Sequence, residues 1–99
     1  MIRLLKAFFS AMLLFNAIPH LVQGICGESH MTPFAIISAP AVNVIWAWVN
    51  LLIGGWLLKS SQPKEWTPRF WLTFCMGGFI ISLSLAIFWS NPHARLPWQ

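Results

Sequence analysis

Few side chains in this sequence could do chemistry, and most of them lie inside apolar runs. Asn16, His20 and Gln23 interrupt the first run; Asn43 and Asn50 interrupt the second. Of the five, His20 alone titrates near neutral pH, so it alone could carry a proton. The spacing 16, 20, 23 is i, i+4, i+7, and 43, 50 is i, i+7, so each set shares one face of a helix. Amides and an imidazole on matching faces can hydrogen-bond across two helices. With several copies of the chain they could also line a polar path. No acidic residue lies within the runs to build a proton relay. Near the end of the first run and just after it, His20, Cys26, Glu28 and His30 are ligand types used by borderline metals. Their spacing fits no metal-ligand pattern, and Gly24, Gly27 and Ser29 read as an ordinary loop. No metal or cofactor is expected, and haem held by two histidines would need a second histidine within a run. Nucleophile–base pairs, phosphate-cradling loops and paired carboxylates are missing from the sequence, so no catalytic residue and no enzyme activity is expected.

The elements that hold these residues follow from composition. The chain has 99 residues, 58% hydrophobic and 8% charged. A soluble domain carries ~25% charged residues, so this chain lacks the charge to coat a water-exposed surface. Three apolar stretches, at about 2–23, 40–58 and 68–89, are each near the ~20 residues that cross a bilayer as a helix. Ser38-Ala-Pro40 offers an N-cap candidate and a first-turn proline for the second stretch. Thr67-Pro68 does the same for the third, and Asn91-Pro92 stops it. The fold class is an all-α membrane protein, one domain of three transmembrane helices. Pro19 removes an amide that would bond to the Phe15 carbonyl, so the first helix should kink there. A cleaved leader is the rival reading of the first stretch, but Val22-Gln23-Gly24 is a poor cleavage site, and the stretch is read as retained.

The basic residues set the expected orientation. Arg3 and Lys6 precede the first span, and Lys59, Lys64 and Arg69 flank the second connection; the opposite side has Arg95 and Glu28. This bias puts the N-terminus in the cytoplasm and the C-terminus outside. Basic residues flanking apolar runs suit lipid headgroups and exclude a nucleic-acid partner. Five tryptophans (Trp56, Trp66, Trp71, Trp89 and Trp98) fall near span ends, where an indole meets headgroups. Cys26 and Cys75 read as small buried hydrophobes.

Depths follow from the ~1.5 Å rise per residue. Counted from Lys6 and from Pro40, Asn16 and Asn50 both fall ~15 Å in, and Gln23 is level with Asn43. Matched polar stripes predict that the first two helices face each other. Gly54-Gly55 and Gly77-Gly78, also at comparable depth, predict a crossing of the second and third helices.

The segment Phe15-Asn-Ala-Ile-Pro-His20, continuing to Gly24, Gly27 and Thr32-Pro-Phe34, resembles small bacterial inner-membrane proteins with N-x-x-P-H in the first helix. The resemblance covers about a third of the chain. It implies a bacterial inner-membrane location and carries no activity with it. The function expected is non-enzymatic, exercised through helix association as a homo-oligomer or a small accessory subunit. The partners are then the bilayer and self or another membrane protein. The alternative is a small oligomeric transporter or proton-conducting protein that uses the Asn16, His20, Asn50 stripe.

Overall fold

A computed structural model describes residues 1–61, 65–93 and 95–99. Three helices, α1 (Ile2–Ile25), α2 (Pro40–Ser60) and α3 (Pro68–Trp89), are joined by a hairpin, β1 (His30–Thr32) and β2 (Ala35–Ser38), between the first two. All three helices are long and apolar enough to cross a membrane. The long axis of the molecule is 40 Å, against ~30 Å of hydrocarbon. The chain therefore has the build of a multi-pass membrane protein, and its spans start and stop within two residues of the expected bounds.

Local sequence explains the helix ends. Gly27 has φ +75°, a conformation that L side chains rarely adopt. It lets Gly27 N–H bond to Gly24 O and Glu28 N–H to Gln23 O, the paired bonds that close a helix C-terminus. The Thr67 hydroxyl caps α3 by accepting from Phe70 N–H at 3.2 Å, with Pro68 in the first turn. At α2 the expected cap is not used. Ala39 holds the N-cap position, because the Ser38 hydroxyl is engaged by Thr32 Oγ at 2.7 Å and Ala35 O at 3.2 Å.

α1 is the centre of the bundle. Both α2 and α3 pack on it, whereas α2 and α3 do not pack along each other. This corrects the expected crossing of α2 and α3. Gly54 abuts Leu13 and Leu14, Gly77 abuts the Phe8 backbone and Gly78 abuts the Phe15 ring, all on α1. Gly55 faces open space. Gly54, Gly77 and Gly78 all approach the same central helix, and a match in depth says nothing about which helix a glycine faces. On α2, Asn43, Ala47, Asn50 and Gly54 are buried, a 4-3-4 spacing that keeps one seam against α1. On α3 only Phe70, Gly77 and Gly78 are buried. Cys75 is consequently exposed, as is Cys26 just past α1, and both are free thiols.

The two ends of the molecule differ. At the N-terminal end Arg3 donates to Glu65 O at 2.9 Å and lies 4.9 Å above the Phe70 ring, and Lys6 reaches Ser60 O. Trp66 packs there against Phe70, Trp71 and Phe74. Lys64 lies outside the described residues. At the other end the hairpin and the segment after α3 meet: Trp98 Nε1 donates to Pro33 O and Gln99 Nε2 to Thr32 O, both at 2.8 Å.

Candidate functional site: the polar seam and the cavity above it

Three polar side chains of α1 bond across to α2. Nearest the N-terminal end, Ser10 Oγ donates to Gly54 O at 2.7 Å. Near mid-span, Asn16 Nδ2 donates to Asn50 Oδ1 at 3.2 Å, the pairing that the depth count anticipates. Closer to the hairpin, His20 Nδ1 meets Asn43 Oδ1 at 2.8 Å. Gln23, expected level with Asn43, is half-buried and its side chain makes no hydrogen bond among the described residues. Depth counting locates a residue along the normal but leaves its rotation free, and His20 is the residue turned toward Asn43.

Asn43 is the hub of the hairpin end. Fully buried, it sends Nδ2 to His30 O at 2.9 Å, Ser38 O at 3.2 Å and Ala39 O at 3.3 Å. One amide thus ties α1, the hairpin and the start of α2. Those three partners are carbonyls and can only accept, which fixes the amide orientation and places the oxygen toward His20. The His20 ring must then donate from Nδ1, and in the neutral ring Nε2 is left as a lone pair. The same logic holds below it. Asn50 Nδ2 donates to Trp46 O at 2.9 Å, so its Oδ1 is the acceptor and Asn16 the donor.

Above the seam three aromatic heterocycles follow one another. The rings of His20 and His30 lie 5.1 Å apart, and those of His30 and Trp89 4.4 Å apart. His30 Nε2 and Trp89 Nε1 are buried without a hydrogen-bond partner among the described residues. Leaving such a group unsatisfied costs about 1–3 kcal/mol. Burial, reinforced by the nearby His20 ring, holds His30 below the ordinary histidine pKa.

A cavity of about 300 Å³ opens beside His20. Asn16 and His20 of α1 form its floor, Trp46 of α2 and Leu85 and Phe88 of α3 its sides, and Met31 of the hairpin and Leu96 its roof. A second, of about 480 Å³, lies outside the hairpin between Ile36, Ile37 and Trp89. Among the described residues no three His, Cys, Asp or Glu side chains converge. Cys26 and Glu28 are exposed, while His20 and His30 turn inward.

The sequence points to Asn16, His20, Asn43 and Asn50 but not to the hairpin or to Leu96, which complete the cavity. Its usable signals were the Thr32-Pro33 turn and the β-branched pair Ile36-Ile37 before Ser38. No protein-family model, curated protein or solved structure matches the chain.

Proposed function

We propose that this chain is a non-enzymatic integral membrane protein that acts through helix association, as a homo-oligomer or as a small accessory subunit of a membrane complex. The observation that carries this reading is Gly55. It sits on α2 facing away from the bundle, with nothing within 4 Å of where a Cβ would be. Trp48, Leu52 and Trp56 share that exposed side. A notch of this kind lets a second helix approach closely, which is what drives association where lipid and side chain are equally apolar.

The runner-up, transport or proton conduction along the Asn16, His20, Asn50 stripe, has less support. The polar groups are bonded in pairs within one chain, and toward the N-terminal end the stripe gives way to fully buried Ala7 and Ala11. A bacterial inner-membrane location with the N-terminus cytoplasmic rests on the charge bias, the N-x-x-P-H resemblance and the grouping of Arg3 and Lys6 with the α2–α3 connection. Retention of the first span is supported by its central place, since both other helices pack on it. A bend at Pro19 is part of the same reading and rests on the amide that proline lacks.

The test is Gly55→Ile in the full chain, read by native electrophoresis in mild detergent and by cross-linking in membranes. The substitution meets nothing within the chain, so the monomer should fold while the higher-mass species disappears. An unchanged assembly in a folded Gly55→Ile variant would refute the reading.

A further inference from the structure

We propose that the cavity between α2 and α3 is a binding site for a neutral, lipid-soluble alcohol or phenol, whose hydroxyl donates to His20 Nε2. The directions of the hydrogen bonds decide what the cavity can accept. Backbone carbonyls of His30, Ser38 and Ala39 take the Asn43 donors, so Asn43 Oδ1 takes the His20 Nδ1 hydrogen. The lone pair of Nε2 then has no partner among the described residues. One turn nearer the N-terminus, the Trp46 carbonyl takes the Asn50 donor and Asn50 Oδ1 takes the Asn16 donor. Asn16 Oδ1 is likewise left without a partner among the described residues. Asn16 and His20 are i and i+4 on α1, and both line the cavity. The floor thus offers two acceptors, fixed in orientation by backbone groups that cannot reverse.

The rest of the lining selects against charge. Apart from Thr32, Ser84 and Trp89, which are neutral, the remaining lining is apolar, and among the described residues no Lys, Arg, Asp or Glu lines the cavity. Among the described lining residues an anion would meet no cationic side chain, and a cation no counter-charge. What suits an apolar cleft with acceptors at its base is an apolar molecule with a hydroxyl. The volume of about 300 Å³ is at the small end of ligand pockets, ~300–1,000 Å³, which fits one ring or a short chain rather than a whole two-chain lipid. Because α2 and α3 do not pack along each other, the cleft lies between spans, where a membrane-dissolved molecule would approach it. This site is independent of any association through Gly55, which faces open space and does not line the cavity.

The experiment uses the full chain in lipid nanodiscs with ¹⁵N-labelled histidine. Three hydroxyl probes stand for three sources: 4-pentylphenol for a ring compound, farnesol for an isoprenoid alcohol and dioctanoylglycerol for a glyceride. The methyl ethers of the first two keep the shape and lose the donor. At least one hydroxyl probe should bind saturably and move the His20 Nε2 resonance, and which one does so identifies the source. Its ether should bind about tenfold more weakly or worse, as expected when a site built on a hydrogen bond meets an analogue lacking it. Leu85→Trp, which fills the cavity without touching the polar seam, should abolish binding in a protein with unchanged helical circular dichroism. Ser84→Phe serves the same purpose if Leu85→Trp does not fold. Saturation by none of the probes, equal binding of alcohol and ether, or retained binding in a folded cavity-filled variant would each overturn the proposal.

Discussion

The two faces of α1 solve the same problem by different means. Toward α2 it presents Ser10, Asn16 and His20, and each makes a side-chain hydrogen bond across the interface. Toward α3 no side-chain hydrogen bond crosses among the described residues. That contact is made by Gly77 against the Phe8 backbone, Gly78 against the Phe15 ring and Phe15 against Phe74. In hydrocarbon the apolar surface itself favours no particular pairing, so helices associate by bonds or by close fit. The α2 face relies mainly on the first and the α3 face on the second. Bonds between side chains can be lost one at a time. A backbone approach at a single glycine cannot be partly lost.

That contrast orders the expected effects of substitution. Gly77→Ala should be the most damaging, because its Cβ would overlap the Phe8 carbonyl, a backbone group that cannot rotate aside. A loss of about 3 kcal/mol, at the upper end for overpacking, is expected in denaturant titrations followed by circular dichroism. Gly55→Ala is the control and should change little. Equal tolerance of alanine at both positions would break the distinction between the faces.

Asn43→Leu comes next. It removes the partner of His20 and the side-chain donor to the His30 and Ser38 carbonyls, while Ala39 O keeps the residue-43 backbone N–H, and should cost about 2 kcal/mol. Hydrogen exchange should then rise in β1 and β2 before it rises in α3. Asn16→Leu removes a single pair and should cost about 0.6 kcal/mol, the average for such bonds in a membrane. If Asn16→Leu proved as harmful as Gly77→Ala, the α2 face could not be a set of separable bonds.

The smallest effect concerns pH. Burial lowers the His30 pKa in the folded protein, whereas the unfolded chain keeps the ordinary value near ~6.5. Below ~6.5 the unfolded state binds more protons, so this contribution is complete above that pH and is lost as pH falls toward the folded value. Melting at about pH 5 should therefore precede melting at about pH 7.5, and His30→Phe should narrow the gap. A gap unchanged in His30→Phe would assign the effect to another group.

How much of this could be read from sequence depends on what each signal measures. Helix length and rise per residue are backbone constants, so the three spans and the level of Asn16 with Asn50 were legible. Rotation is not a backbone constant, which is why His20 rather than Gln23 meets Asn43. Partner choice is also invisible when all helices are apolar: Gly54 and Gly77 announce a close approach without saying to what. The hairpin escaped because strands of three and four residues are too short to show alternation. Its position depends on Asn43 and on Trp98, which are remote from its turn.

The contacts of Trp98 and Gln99 with the hairpin also set an order in time. Their partners Pro33 and Thr32 lie 65 and 67 residues earlier in the chain. At a synthesis rate of roughly 5–20 residues per second, several seconds separate the appearance of the turn from that of the groups that fasten it. Throughout that interval all of α2 and α3 is being made, and Leu96 is not yet present to cover the cavity. Closure of the roof is therefore a late event in the making of each new chain, one that cannot begin until α3 is complete.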